Sequence, residues 1–286
     1  MRAEAYAKVN FTLDVYGTRP DGYHALRSVV LPISLADTLE IEATDDGSIT
    51  SDTGYDDDLC VKAARVLKSS VSSLPPSVGA AIRVTKRIPA GGGLGGGSAD
   101  AAAVLRALNE LWGLNFSVSE LAEIGAQVGS DVPALVLGGP VLMEGRGERV
   151  SRIGSLIGQP NNRTINLVLV NPGIHSSTKD VYAACGVREN DAPSPTNAMA
   201  SALKAGDLAQ IAAAVSNDLQ APAVKLHPEI ADALVSLRTA GATGVTMTGS
   251  GSCVFGFAPD SATAERISAE LNFRGLQSWP VTTWLS

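Results

Sequence analysis

Between Gly91 and Gly97 the chain places six glycines in seven residues, interrupted only by Leu94. Such a run makes a poor strand and a poor helix, because each glycine lacks the β-carbon that limits the backbone and supplies packing surface. Its use is the opposite one: the main chain can adopt left-handed conformations and bring its N–H groups against a ligand. Directly after it come Ser98 and an alanine-rich stretch with apolar residues at Val104, Leu105, Leu108, Leu111 and Trp112, the spacing of one helical face. A glycine loop that feeds a helix N-terminus predicts a site for anions, above all phosphate.

Two familiar glycine loops can be weighed against it. Gly91, Gly93 and Gly96 satisfy the dinucleotide pattern, but a glycine run does so almost automatically, Pro89 intervenes after the strand, and no strand-ending acidic residue follows about 20 residues later. A Walker-type loop needs a lysine at the helix start, and there is none between Lys86 and Lys179.

The rest of the 286 residues reads as an α+β order. Strands are expected at 5–16, 28–35 and 37–43, with a turn-rich loop at 17–24 that exposes Tyr23 and His24. An acidic connection (45–58), a helix (57–69), a Ser- and Pro-rich loop (69–79) and a strand (80–87) lead to Pro89. The loop's helix ends near Gly113, and Ser117 with Glu120 forms a capping box for a helix through Val128. Gly129 to Pro133 breaks that helix and starts another, and 138–143 with 147–153 reads as a hairpin. A polar joint (158–163), a buried strand (165–170), a loop (171–178), a helical turn (179–185) and a proline-containing surface stretch (190–196) follow. Helices at 197–205, 207–219 and 228–240 precede a strand, tight turn and strand around Gly249-Ser250-Gly251. A helix (260–271) and a strand (277–284) end the series.

Net charge is −7, from 22 Lys and Arg against 29 Asp and Glu, with no basic block, which argues against nucleic-acid and membrane-surface partners. The first residues lack a signal-peptide core, and the longest mostly apolar run, Val132 to Met143, carries two prolines and two glycines. Cys60, Cys185 and Cys253 are odd in number and far apart, so neither a disulfide framework nor a zinc pattern is indicated, and His24, His175 and His227 lack metal-ligand spacing. A cytoplasmic protein is expected.

Pro89 to Ala102, with its Gly-Leu-Gly-Gly-Gly-Ser-x-Asp-Ala-Ala ending, resembles the ATP-binding motif of the galactokinase, homoserine kinase, mevalonate kinase and phosphomevalonate kinase (GHMP) superfamily. Ala7-Lys-Val-Asn10 is similar to its first motif and Thr248-Gly-Ser-Gly-Ser-Cys-Val-Phe255 to its third. Asp21-Gly-Tyr-His24, Gly129-Ser-Asp-Val-Pro133 and Asn171 to Thr178 resemble one branch, the kinases of 4-diphosphocytidyl-2-C-methyl-D-erythritol. The resemblance implies a two-part GHMP-kinase fold, with an N-terminal ribosomal-protein-like part at 1–154, a C-terminal α/β sandwich part at 155–286, and the site in a cleft between them.

It also implies transfer of the ATP γ-phosphoryl group, with Mg²⁺, to the substrate's 2-hydroxyl. Asp131 would be the base and Lys8 the cation that favours its ionised form and offsets charge on the reacting oxygens. Lys86, Pro89, Ala90, Gly91, Gly92, Gly93, Leu94, Gly95, Gly96, Gly97, Ser98 and Ala99 would form the ATP site. Ala99 stands where the family often has serine, which removes one hydroxyl ligand, so no direct protein ligand to the metal is assigned. Asn10, Tyr23, His24, Thr178 and Tyr182 would bind the acceptor, and Gly249, Ser250 and Gly251 would turn beside the phosphates.

Plainer readings stand beside these. Asp131 could cap the helix that Pro133 begins, Lys8 could reach solvent at a sheet edge, and Lys86 could be a solvated strand end. Tyr182 could be core, residues 248–252 an ordinary hairpin turn, and Asp100 a first-turn residue that complements the helix dipole.

Overall fold

The computed structural model describes residues 1–19, 22–153, 164–188 and 194–284. Asp21, the polar joint at 158–163, the 154/155 boundary and residues 190–193 of the proline-containing stretch lie outside the described residues. In chain order the first elements are β1 (Arg2–Thr18), β2 (His24–Thr44), β3 (Ile49–Ser51), α1 (Leu59–Ser69), β4 (Gly79–Thr85), α2 (Gly96–Leu111), α3 (Val118–Gly125) and α4 (Val132–Leu137). Then come β5 (Val141–Gly145), β6 (Arg149–Arg152), β7 (Thr164–Asn171), α5 (Thr178–Ala183), α6 (Pro195–Ala205), α7 (Leu208–Ala213) and β8 (Ser216–Asn217). The last are α8 (Gln220–Leu226), α9 (Glu229–Thr239), β9 (Thr243–Met247), β10 (Val254–Ala258), α10 (Ser261–Phe273) and β11 (Gln277–Trp284).

One compact unit gathers residues 1–8, 35–88 and 95–138. In it the second half of β2 pairs antiparallel with β4, Leu39 opposite Val84 and Ile41 opposite Ile82, and β3 runs parallel to β4. Alternation turns Leu39 and Ile41 inward, where they are fully buried, as are Leu67 of α1 and Leu105 and Leu108 of α2. Buried alanines at 99 and 101–103 keep α2 slim enough to pack closely on α1 and α4. Helix α3 opens on the expected capping box: the Glu120 N–H donates to Ser117 Oγ (3.3 Å) and the Ser117 N–H to Glu120 Oε2 (2.7 Å).

The other unit gathers residues 9–34, 89–94 and 139–286. Its strands run in the order β9-β10-β7-β11-β2, each neighbour antiparallel. The hairpin of β5 and β6 adds to β2, and β8 lies parallel to β1 at Thr12 and Leu13. Phe11, Phe255 and Phe257 cluster in its core, Phe11 stacked on Phe255 at 5.7 Å and tilted against Phe257 at 5.2 Å between ring centres. Among the described residues no helix is long and apolar enough to cross a membrane, and all three cysteines are free thiols.

Several elements differ from expectation. His24, expected in an exposed loop, opens β2 and is only partly exposed, while Tyr23 is exposed as expected. The strands expected at 28–35 and 37–43 are one strand, β2, because Asp37 is held in extended conformation by partners far along the chain, described below. The acidic connection contains β3. The helix expected over 207–219 stops at Ala213, and the chain then pairs with β1 as β8 before α8 begins. Asn217 fixes that interruption: its amide donates to the carbonyls of Met247 and Gly249, both at 2.8 Å, and its Oδ1 accepts the Leu219 N–H.

Candidate active site

The glycine loop is a left-handed backbone that only glycine adopts without strain. φ is positive at Gly91, Gly93 and Gly95 and at neither residue between them, the kind of alternation of hand that in general forms anion-binding nests. Gly95 is the N-cap of α2, at φ 68°, so Gly96 and Gly97 are its first helical residues rather than loop. A β-carbon on Gly95 would stand 3.2 Å from both Cγ and Cε of Lys8 and 3.5 Å from Asp131 Oδ2. The end of the loop therefore lies directly on those two side chains.

Lys8 and Asp131 form an ion pair, Nζ to Oδ2 at 3.5 Å. Lys8 is not a solvated edge residue: its side chain is 5% exposed, whereas that of Asp131 is 34% exposed and open to an approaching molecule. Asp131 does occupy the N-cap of α4, but its side chain makes no capping bond. The backbone of Asp131 is itself helical (φ −84°, ψ −16°), not the extended form from which a cap side chain reaches the first-turn N–H groups, and Pro133 at the second helical position has no N–H to offer.

Lys86 is partly exposed, its side chain 30% accessible, but it is not a lone solvated charge. Its ammonium donates to Asp37 Oδ2 (2.5 Å) and Asp100 Oδ2 (2.6 Å), and Asp37 Oδ1 accepts the N–H groups of Arg87 (2.5 Å) and Ile88 (2.8 Å). Asp37 is fully buried and Asp100 nearly so. Asp100 lies past the first turn of α2, so its charge is spent on Lys86 and not on the helix dipole. Burial raises its pKa to about 7; the hydrogen bond and charge of Lys86 offset only part of that cost, and the neighbouring Asp37 carboxylate adds to it. Burial works against the Lys86 ammonium too, but its bonds to Asp100 and Asp37 outweigh it and raise the pKa.

In the second unit, the Thr248 hydroxyl accepts the Asn10 N–H (3.0 Å) and lies 3.2 Å from Asn10 Oδ1, while Asn10 Nδ2 donates to Ser28 (2.8 Å). A β-carbon on Gly93 would collide with the Thr248 carbonyl oxygen, and one on Gly92 would stand 2.6 Å from Cys253 Sγ. The turn at 248–252 thus joins a hairpin, β9 to β10, and also backs residues 92–93 of the loop. Ser176 donates to the Ser250 carbonyl (2.9 Å), and Thr178 Oγ1 lies 2.8 Å from Ser250 Oγ.

Thr178 and Tyr182 are four apart on α5 and share a face. Tyr182 is half-buried and stacks on His24, ring centres 5.5 Å apart and 23° from parallel, so it is not simply core. His24 Nδ1 is buried with no hydrogen-bond partner among the described residues. Tyr23 is 56% exposed, with the Arg146 guanidinium 5.3 Å from its ring centre.

Known proteins carry the same plan. Models of the GHMP kinases N terminal domain and of the GHMP kinases C terminal domain match residues 58–139 and 199–276. A relative from Pelotomaculum thermopropionicum, named 4-diphosphocytidyl-2-C-methyl-D-erythritol kinase, is 43% identical over 273 residues, which are 93% of this chain and 92% of that one. The chain belongs to that kinase family, within the GHMP kinases. A family member of the same name from Symbiobacterium thermophilum is 37% identical over 99% of both chains. A crystal structure of 4-(cytidine 5'-diphospho)-2C-methyl-D-erythritol kinase superposes with a TM-score of 0.81 at 34% identity, over 99% of each chain. A homoserine kinase from Cytophaga hutchinsonii, at 20% identity and TM-score 0.75 over 100% of this chain and 95% of that one, shares the fold. The α+β GHMP-kinase fold expected from the sequence is the fold this chain has.

Asp37 and Ser176 are not singled out by the sequence reading. For Asp37 a signal exists: it stands in phase with Leu39 and Ile41, and a carboxylate on a strand's buried face requires a partner. Ser176 sits in a loop whose long-range bond to the Ser250 carbonyl leaves no local trace.

Proposed function

We propose that this chain transfers the γ-phosphoryl group of ATP to the 2-hydroxyl of 4-diphosphocytidyl-2-C-methyl-D-erythritol, giving the 2-phosphate and ADP in the non-mevalonate route to isoprenoid precursors. The observation that carries it is the Lys8–Asp131 pair lying against Gly95, where the glycine loop becomes helix α2. Asp131 accepts the hydroxyl proton. A carboxylate is too weak a base to take it from a ground-state alcohol, so the transfer comes late, once the attacking oxygen has begun to bond phosphorus. Lys8 orients that carboxylate and offsets negative charge on the reacting oxygens, which is most of what a loose phosphoryl-transfer transition state asks of a protein.

Main-chain N–H groups from Gly91 to Ser98 hold the donor phosphates, with Pro89, Ala90 and Ala99 bounding the loop, Lys86 at its base and the Gly249-Ser250-Gly251 turn beside it. Helix α2 alone contributes about 0.3–2 kcal/mol toward an anion, against about 8 kcal/mol for micromolar binding, so the loop must supply most of the rest. Among the described residues no three His, Cys, Asp or Glu side chains form a metal cage. That donor set fits a Mg²⁺ ion liganded chiefly by phosphates and water, held here through the loop that holds the phosphates. Mg²⁺ would neutralise charge between the β- and γ-phosphates.

At the acceptor end His24 hydrogen-bonds the cytosine and Tyr182 stacks on it; the contact between the two rings supports their acting together. Asn10, Tyr23 and Thr178 complete that end. The N-terminal part is taken as 1–154 and the C-terminal part as 155–286, in a cytoplasmic enzyme without nucleic-acid or membrane partners. ADP release with Mg-ATP tests the reading, comparing 4-diphosphocytidyl-2-C-methyl-D-erythritol with mevalonate, homoserine and galactose. No signal with the first, or a better one with any other, refutes it.

A further inference from the structure

Lys86 is the one residue assigned to ATP whose charge is already used. Its ammonium sits between two buried carboxylates, and with both ionised the trio nets one negative charge, so it has no positive charge left to offer a phosphate. What the trio does have is reach. Asp37 on β2 grips the chain as it leaves β4 through the N–H groups of Arg87 and Ile88. Lys86 carries that grip across to Asp100 on α2. A β-carbon on Gly96 would stand 3.1 Å from Ile88 Cγ2 and 3.5 Å from Lys86 Nζ, so the first turn of α2 rests on the same residues.

We propose that Asp37, Lys86 and Asp100 form an ionic staple that fixes the exit of β4 to the start of α2, with Lys86 a positioning residue for the phosphate loop and not a phosphate ligand. This rests on the reading that the loop holds ATP. Buried charges fix geometry more than they add stability, which is the use made of them here. Asp100 Oδ1 is buried with no hydrogen-bond partner among the described residues, so the Lys86 bond through Oδ2 is what orients that carboxylate.

Mg-ATP binding by titration calorimetry separates the two roles, because they predict opposite signs for Asp100→Ala. If Lys86 were a phosphate ligand, removing a competing carboxylate would tighten ATP. If it positions the loop, losing one charged hydrogen bond of the staple weakens ATP about tenfold. The acceptor KM should hold, and Asp100→Asn, which keeps an acceptor for Lys86, should bind ATP within about twofold of the unaltered chain. Tighter or unchanged binding by Asp100→Ala overturns the proposal. Should that variant not fold, binding by Asp100→Asn more than about threefold tighter overturns it equally, and binding near the unaltered value supports it. Failure of the unaltered chain to bind Mg-ATP would remove the kinase reading and this one with it, whereas normal binding by every variant removes only the staple.

Discussion

Replacing Lys8 with Met removes a charge and keeps the hydrocarbon stem on which Gly95 rests. At the observed 3.5 Å, two unit charges attract by about 1 kcal/mol at the dielectric of water and about 5 kcal/mol at an effective dielectric of 20. One partner is buried and the other a third exposed, so a value of about 2–3 kcal/mol is reasonable, which is about 30- to 160-fold in rate. Lost charge compensation and lost orientation act together, because the proton moves late and the phosphoryl oxygens carry charge throughout. Steady-state ADP release should therefore show kcat reduced by at least about 30-fold with little change in Mg-ATP binding. Asp131→Asn should cost more, and the double variant no more than Asp131→Asn alone, since residues that act as a unit are not additive. A folded Lys8→Met enzyme with kcat within about threefold of normal, or two effects that simply multiply, would refute the reasoning.

Three further outcomes follow from the geometry. Gly95→Ala should cost about 1–2 kcal/mol from its left-handed φ and also lower kcat by pressing on Lys8, whereas Gly97→Ala, helical and 3.4 Å from Leu59, should melt no lower than the parent; thermal melts and kinetics check both. Asp100, facing Lys86, Asp37 and Cys60, has its pKa raised to about 7, so the folded chain keeps a proton that the unfolded chain releases above about pH 4. Its contribution is full below that pH and lost as pH rises through about 7; relative to Asp100→Asn, the parent should lose melting temperature across that window, and a constant difference would contradict it. His24→Ala or Tyr182→Ala should raise the acceptor KM by about 5- to 150-fold, the worth of one stacked base, and leave Mg-ATP affinity alone; an equal loss in both would count against a base-binding role.

Much of this was readable in the sequence because it is local. The glycine run, the Ser117–Glu120 box, the helical periodicity of α2 and the apolar run of β7 each state their structure within a dozen residues. What was not readable depends on distance along the chain. Asp37 reads as the first residue of a separate short strand, yet it lies within one long strand, where Lys86, Arg87 and Ile88, about fifty residues on, hold its carboxylate. The break between α7 and α8 depends on a strand partner some two hundred residues earlier. At the site, motif order named Lys8 and Asp131 but not how they are used. That Asp131 leaves its helix uncapped follows from its helical backbone angles together with Pro133 two residues later, visible only once the helix start is known.

That missing cap bears on how the protein would fare under engineering. A screen that rewards heat resistance would find the start of α4 quickly, since a good N-cap is worth about 0.5–2 kcal/mol and such gains are common. Its winners would bend residue 131 toward the helix backbone or replace it, and on the role proposed for Asp131 they would be hardier proteins that no longer turn over. Any consensus or stability-guided redesign of this chain should therefore hold position 131 fixed and seek its gains at ends outside the proposed site, such as the start of α9, where Pro228 at the N-cap supplies no capping bond.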